Sequence, residues 1–231
     1  MANFNTHLSI ASAASVGAAL VAVNVHLIVS ADMPWLIFLG ALGGLLPDID
    51  ASNSRPVKLL FNVLALMGVA GVLQIFKDSY APYPLLLIVV GTYLFIRHGL
   101  FASFNGLTEH RGVFHSLLAA VFFALLMTCI SYHCLHWDIL YAWLNGIFIA
   151  LGFIVHLLLD ELYSVDLSNA RMKNSFGTAL KLFNYNNMTA SVLMTVFTML
   201  LYWTAPTPIP LVKVWKGMQW NNALTTVRFV K

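Results

Sequence analysis

The sequence predicts an all-α, polytopic transmembrane helix bundle of six or seven helices. Of the 231 residues, 60% are hydrophobic and only 9% are charged, and the mean hydropathy is +0.82. Soluble domains carry about 25% charged residues. The apolar residues gather in seven runs, and a helix needs roughly 20 of them to cross a bilayer. The chain is therefore expected to be an integral membrane protein with the lipid bilayer as its partner.

The seven candidate spans differ in how well they suit a membrane helix. They cover residues 8–30, 33–46, 57–76, 82–101, 113–133, 139–160 and 188–204. The first has no basic segment before it and is long for a signal peptide, so it is expected to be a retained helix. The second is short, contains Gly40, Gly43 and Gly44 and stops at Pro47, which predicts a tilted, closely packed or half-spanning helix. The seventh is marginal, so six or seven crossings are expected.

The basic residues predict an orientation. If all seven runs cross, the N-terminus lies on the same face as loops 47–56, 102–112 and 161–187. Helix ends and loops on that face carry Arg55, Lys58, Arg97, Arg111, Arg171, Lys173 and Lys181, and the opposite short loops carry only Lys77. The positive-inside rule makes this face cytoplasmic. The tail after Tyr202 disagrees because it is basic and would lie outside, so either the seventh run does not cross or the tail is tolerated there.

The ionisable residues that are unusual for a membrane protein cluster on that same face. They come from four helix ends: His7, Asp48, Asp50, His110, Arg111, His115, His156 and Asp160. Each motif alone is explained by a polar cap or a turn. Together, on one face, they indicate function, because ionisable groups at membrane depth are costly. The small net charge of +3 forms no basic patch, so no nucleic-acid partner is expected.

Two pairs have spacings that suit a shared ligand. His156 and Asp160 stand four residues apart, so they share one face of a helix. Asp48 and Asp50 would point the same way if the chain after Pro47 is extended, because side chains alternate along a strand.

The two histidines at the entry to the fifth candidate span need a turn between them. His110 and His115 are five residues apart and cannot share a helical face, but Gly112 permits a turn that leaves His115 in the first turn of the next helix. Imidazole and carboxylate groups suit Zn²⁺ best, with Mn²⁺ or Fe²⁺ possible. The predicted metal ligands are His7, Asp48, Asp50, His110, His115, His156 and Asp160. This surplus over one zinc site favours either two metals or one metal with a rich second layer of contacts.

The motifs, in this order and spacing, resemble a known family. THLSIASAAS, LGGLLPDID, HRGVFHSLLAA and HLLLDELYSVDL are similar to the bacterial inner-membrane family of predicted metal-dependent hydrolases, described as LexA-regulated after one member. The resemblance extends to about residue 183, where SFGTALKLF also fits. It implies a multi-helix inner-membrane protein with a hydrolase centre built from the eight polar residues above.

A more distant likeness points to the chemistry. Zinc-dependent phospholipase C and related single-strand nucleases use His and Asp ligands, including a His-x3-Asp pair, to cleave phosphodiesters. This likeness implies hydrolysis of phosphoester or lipid-type substrates, such as a phospholipid, at the cytoplasmic leaflet.

Arg111 would stabilise negative charge, and Asp48 or Asp50 would act as general base; the catalytic assignments are Asp50 and Arg111. Residues 1–187 would form the hydrolase domain, and residues 188–231 the last span and tail.

Two enzyme classes are disfavoured by the sequence, and two other functions compete with this hypothesis. No G-x-S-x-G or H-E-x-x-H pattern occurs, which disfavours a serine hydrolase or a zincin protease. A transporter would have polar residues strung through the midplane, whereas these gather at one face. A regulatory membrane protein with a structural metal site remains an alternative, because the sequence does not distinguish a closed site from a catalytic one.

Overall fold

The computed structural model describes residues 4–50, 55–102, 114–166, 171–172, 181–182 and 188–212. Seven α-helices occur in these ranges: α1 Phe4–Asn24, α2 Met33–Gly43, α3 Arg55–Phe76, α4 Pro82–Leu94, α5 Leu117–Cys129, α6 Ile139–Ser164 and α7 Met188–Thr204. The β structure of the described residues is one antiparallel pair, β1 Val165–Asp166 with β2 Arg171–Met172. The predicted all-α helix bundle is therefore confirmed.

Among the described residues, five helical segments are long and apolar enough to cross a membrane. They are Phe4–Asn24, Ser30–Asp48, Pro82–Leu100, Leu117–Cys134 and Ile139–Tyr163. Two shorter apolar stretches are Phe61–Phe76 and Met188–Thr204.

Helix α6 is the centre of the bundle, with α1, α2 and α5 packed around it. It is apolar on nearly every side, and a helix of that kind is buried. Phe153 and Leu157 of α6 are completely buried, as is Leu39 of α2. By contrast, α4 packs on α3 and on the segment that follows it, and has no buried residue. An exposed apolar face of that length needs an apolar environment.

Helix α1 ends earlier than the predicted span 8–30. The backbone N–H of Leu27 donates to the carbonyl of Ala22 at 2.8 Å, and that of His26 donates to Val23 at 2.9 Å. His26 has a φ of 56°. This is a Schellman closure, in which a left-handed residue ends the helix. The last apolar residues of the predicted span therefore lie in the connection to α2.

Helix α7 runs parallel to α5 over the depth of the bundle. The two helices pack together, and their C-terminal ends are joined: Cys129 Sγ donates to the carbonyl of Leu201 at 3.4 Å, and His133 Nε2 donates to that of Thr204 at 2.7 Å. Near the start of α5, the N–H of Leu117 donates to the carbonyl of Lys181 at 3.0 Å. The helix that the sequence predicts as a marginal span therefore lies beside α5, with the C-terminal ends of the two helices in contact.

A buried amide ties three segments together at the end of the bundle where α6 begins. Asn145 of α6 is fully buried. Its Oδ1 accepts from Trp35 Nε1 at 3.1 Å, and its Nδ2 donates to Ser131 Oγ at 3.0 Å. Ser131 lies in a short π-helical segment, Ile130–Cys134, that continues α5. The amide therefore uses both its donor and its acceptor to join α2, α5 and α6.

Replacing Asn145 with Leu is expected to destabilise the protein by about 1–3 kcal/mol, since it leaves the Trp35 N–H and the Ser131 hydroxyl without a buried partner. The measurement is the thermal midpoint in detergent. Asn24→Leu, at an exposed position at the end of α1, is the matched control and should leave the midpoint near that of the parent. Equal midpoints for the two variants would contradict the structural role of this amide.

Candidate metal centre

Five of the predicted ligands meet at the end of the bundle where α1 begins and α6 ends. They are His7, Asp48, His115, His156 and Asp160. His7 lies in the first turn of α1, and His156 and Asp160 lie near the end of α6. Asp48 lies in a 3₁₀ helix, Leu46–Asp50, that follows α2, and His115 lies just before α5. Four separate parts of the chain therefore build one cluster, as the sequence predicts.

Four donor atoms of this cluster form a closed ring. His156 Nε2 lies 3.6 Å from Asp160 Oδ2 and 3.7 Å from Asp48 Oδ1. His115 Nε2 lies 3.7 Å and 3.8 Å from the same two oxygens. Nitrogen and oxygen alternate around the ring, and the shared face of His156 and Asp160 follows from their spacing of one helical turn.

The ring has the donor types of a zinc site. Bonds of about 2.0–2.2 Å to nitrogen and oxygen separate the ligand atoms of a tetrahedral zinc ion by about 3.3–3.6 Å. The four edges of the ring, at 3.6–3.8 Å, are a few tenths of an ångström wider than this separation. Two imidazoles with two carboxylates also suit Mn²⁺ or Fe²⁺.

The orientation of His156 creates a need for a cation. Its Nδ1 lies 2.7 Å from the carbonyl oxygen of Gly44. A carbonyl only accepts, so Nδ1 carries the hydrogen, and in the neutral ring the lone pair is on Nε2. That atom is buried, has no hydrogen-bond partner, and faces carboxylate oxygens of Asp48 and Asp160. A lone pair facing two anionic oxygens is repelled unless a positive charge lies between them, so the residues present fit a bound cation.

His7 contacts the other oxygen of Asp160. Its Nε2 lies 3.3 Å from Asp160 Oδ1, and its ring stacks on that of His156 with centroids 3.7 Å apart and an interplanar angle of 13°. His7, His156 and Asp160 thus form a second group of three donors, alongside Asp48, His115 and His156, with donor atoms within 4.8 Å of one another.

The two groups share one nitrogen, which bears on the number of ions. Nδ1 of His156 is engaged with Gly44, so only Nε2 can bind metal, and one lone pair binds one ion. If His156 completes the four-atom ring, a second ion near His7 would have to be bound without this nitrogen.

The cluster opens on one side, at Asp48. The side chain of Asp48 is 28% exposed, whereas those of His7, His115, His156 and Asp160 are at most 8% exposed. Among the described cluster residues, Asp48 is therefore the most accessible to solvent.

Two local expectations about this cluster were wrong. The chain after Pro47 is not extended, which the alignment of Asp48 with Asp50 required, but forms a 3₁₀ helix with three residues per turn. His115 is not in the first turn of α5, because Ser116 is the N-cap: its Oγ accepts from the N–H of Ala119 at 3.2 Å. Serine is a preferred N-cap residue, and this signal was present in the sequence.

Three of the predicted site residues lie outside the described part of the chain. They are the side chain of Asp50, and His110 and Arg111, which fall within residues 103–113. The sequence reasoning in turn missed the carbonyl of Gly44, since a backbone oxygen leaves no mark in a residue pattern. The glycines at the end of α2 were a weak signal for this contact, because they indicated that another helix packs closely there.

Together, the fold and the cluster define an all-α membrane protein with a candidate metal centre at one end of its helix bundle. The chain matches the model of the YdjM inner membrane protein family over residues 1–205. It therefore belongs to that family and is an inner membrane protein. The match includes α7, so it extends beyond residue 183, where the resemblance was expected to end. No curated protein and no solved structure matches the chain.

Proposed function

We propose that the protein is a membrane-embedded, metal-dependent hydrolase of phosphoester or lipid-type substrates at the cytoplasmic leaflet. The observation that carries the proposal is the buried Nε2 of His156, which faces carboxylate oxygens of Asp48 and Asp160 without a hydrogen-bond partner. The partial exposure of Asp48 supports a catalytic site over a closed structural one, because a catalytic site keeps a position open for water.

The ligands of the ion would be His115, His156, Asp48 and Asp160, with Zn²⁺ as the expected metal. Catalysis would require the ion to accept water or substrate as a fifth ligand, which zinc sites can do. When bound, a divalent ion would lower the pKa of a coordinated water to about 7 and polarise the ester oxygen. His7 would hold the second oxygen of Asp160, which orients the first toward the ring.

The chain's own residues would then manage protons and charge. In hydrolysis, the oxygen of water bonds to phosphorus, the bond from phosphorus to the leaving oxygen breaks, and the proton of water is transferred to the leaving group. Asp48 is the cluster residue most open to solvent, so it can accept that proton. Asp50 keeps its assignment as the other candidate base. Arg111 keeps its assignment as the group that pairs with the phosphate oxygens, which a guanidinium can bind through two parallel hydrogen bonds.

We propose that all seven helices cross the membrane and that the cluster faces the cytoplasm. The path of α7 beside α5 supports seven crossings. Lys58, Arg97 and Lys181 belong to the end of the bundle that holds the cluster, whereas Lys77 belongs to the other end; this asymmetry supports a cytoplasmic site. The C-terminus would then lie on the opposite side.

The main rival, a transporter, is less well supported by the buried polar residues between the two ends. The hydroxyls of Ser15 and Thr128 donate to carbonyls one turn earlier in their own helices, Ala11 and Ala124. Asn145 is fully bonded to two side chains. These described polar groups are engaged within the fold rather than open along a path.

The test is hydrolysis by the detergent-purified, zinc-loaded protein, assayed on bis(p-nitrophenyl) phosphate and on phospholipid vesicles. We expect turnover by the parent and a loss of at least about 100-fold on Asp48→Asn, which changes a ligand of the ring and also removes a proton acceptor. Asp78→Asn, in an exposed turn outside the cluster, is the control and should keep parental turnover. Full metal content without turnover on either substrate would contradict the hydrolase and favour a structural metal site.

A further inference from the structure

Helices α2 and α6 come into direct backbone contact beside the cluster. A Cβ atom added to Gly152 would overlap the carbonyl oxygen of Gly40, and one added to Gly43 would overlap the carbonyl oxygen of Ile149. Neither oxygen belongs to a flexible side chain, so neither can move without moving its helix. The two helices are therefore as close here as glycine alone permits.

This contact lies one helical turn from His156. Gly152 precedes His156 by four residues, so both lie on the face of α6 that meets α2. The close approach at Gly152 brings the carbonyl of Gly44 to 2.7 Å from His156 Nδ1. A side chain at position 152 would push α2 outward, and a hydrogen bond weakens steeply when its donor and acceptor separate beyond about 3.2 Å.

The bond to Gly44 decides which nitrogen of His156 faces the ring. An unconstrained neutral imidazole populates both tautomers, and only the one with hydrogen on Nδ1 leaves a lone pair on Nε2. Ligand histidines in metal sites commonly have this second nitrogen fixed by a carbonyl or carboxylate.

We propose that Gly152 is a positioning residue: its missing side chain seats the carbonyl of Gly44 on His156 Nδ1 and so sets the tautomer that presents Nε2 to the ring. The consequence for metal affinity rests on the proposed metal centre, whereas the tautomer itself belongs to the metal-free protein. The two can therefore be tested separately.

The first measurement is the ¹⁵N spectrum of histidine-labelled, metal-free protein in detergent, at a pH where the ring is neutral. The His156 signals are assigned by their loss in His156→Gln. We expect the parent to show hydrogen on Nδ1 and Gly152→Ala to show a mixture of tautomers. The parent with hydrogen on Nε2 would overturn the proposal, and this result needs no glycine variant to fold.

The second measurement is zinc affinity, expected to fall about 10–100-fold in Gly152→Ala, the effect of losing a contact that orients a ligand. Gly17→Ala and Gly91→Ala are matched controls, because both glycines are helical and an added Cβ meets no atom within 4 Å. Both should keep parental affinity. Alanine has a higher helix propensity than glycine, so the substitution does not weaken the helix itself. A loss of zinc affinity that is specific to position 152 would therefore result from the contact with α2.

The outcomes separate this inference from the proposed function. Parental affinity together with the parental tautomer in folded Gly152→Ala would overturn the positioning role. A parent that binds no zinc but carries hydrogen on Nδ1 would contradict the metal centre and leave the positioning of His156 intact.

Discussion

Asp160→Ala and His156→Ala are each expected to reduce the bound metal of the purified protein from about one ion per chain to the level of the detergent blank. Each variant removes one corner of the four-atom ring. Removal of Asp160 also takes away the partner of His7, and removal of His156 leaves two carboxylate oxygens facing only one imidazole. Metal binding requires the correct set of ligands, so a site that has lost one of them is expected to lose its metal during purification. The measurement is metal content by mass spectrometry after gel filtration.

Matched controls come from residues of the same type away from the cluster. Asp78→Ala and His98→Ala replace exposed residues and should keep the parental metal content. Membrane insertion of all four variants should be unchanged, since the cluster sits at helix ends and leaves the apolar surfaces intact. Full metal content in both Asp160→Ala and His156→Ala would show that the ligand assignment is wrong.

Removal of metal is expected to lower the thermal midpoint of the parent by several degrees. A ligand that binds only the folded state stabilises it by about 2.7 kcal/mol at 100 times its dissociation constant. Here the loss would be increased by repulsion between the two carboxylates and the lone pair of His156 in the buried ring. The measurement is thermal unfolding in detergent with and without a chelator, followed by titration with zinc.

The same experiment distinguishes a metal from a proton. If a proton on His156 Nε2 supplied the positive charge, the chelator would leave the midpoint unchanged and acidification would not weaken the cluster. If a metal ion supplies the positive charge, acidification releases the ion by protonating its ligands. The thermal midpoint should then fall as the pH is lowered and recover when zinc is added. Asp160→Ala, which lacks the ring, should respond to neither chelator nor zinc.

Much of the fold follows from the sequence because apolar length alone determines which segments can cross a bilayer. The runs at 139–160 and 188–204 predict α6 and α7 closely. Helix ends were less predictable. Helix α1 ends with His26 in a left-handed conformation, a position at which glycine is the usual residue. Because His26 is not glycine and the apolar run continues past the turn, no signal in the sequence marks this helix end.

The candidate site was predictable where its ligands could be recognised by their residue type and by their position at the end of a helix. Asp160 and His156 were placed correctly because a spacing of four fixes a shared helical face. The role of His7 as the neighbour of Asp160, rather than a member of the ring, depends on how α1 meets α6. The contact between Gly152 and α2 likewise depends on tertiary packing, which no local pattern encodes.

The most direct test of the metal centre is an anomalous difference map from crystals of the zinc-loaded protein, measured at the zinc absorption edge. The account predicts a peak within about 2.0–2.2 Å of His156 Nε2, His115 Nε2, Asp160 Oδ2 and Asp48 Oδ1. An occupied zinc position elsewhere in the molecule, with these four atoms apart or bonded to other groups, would contradict it.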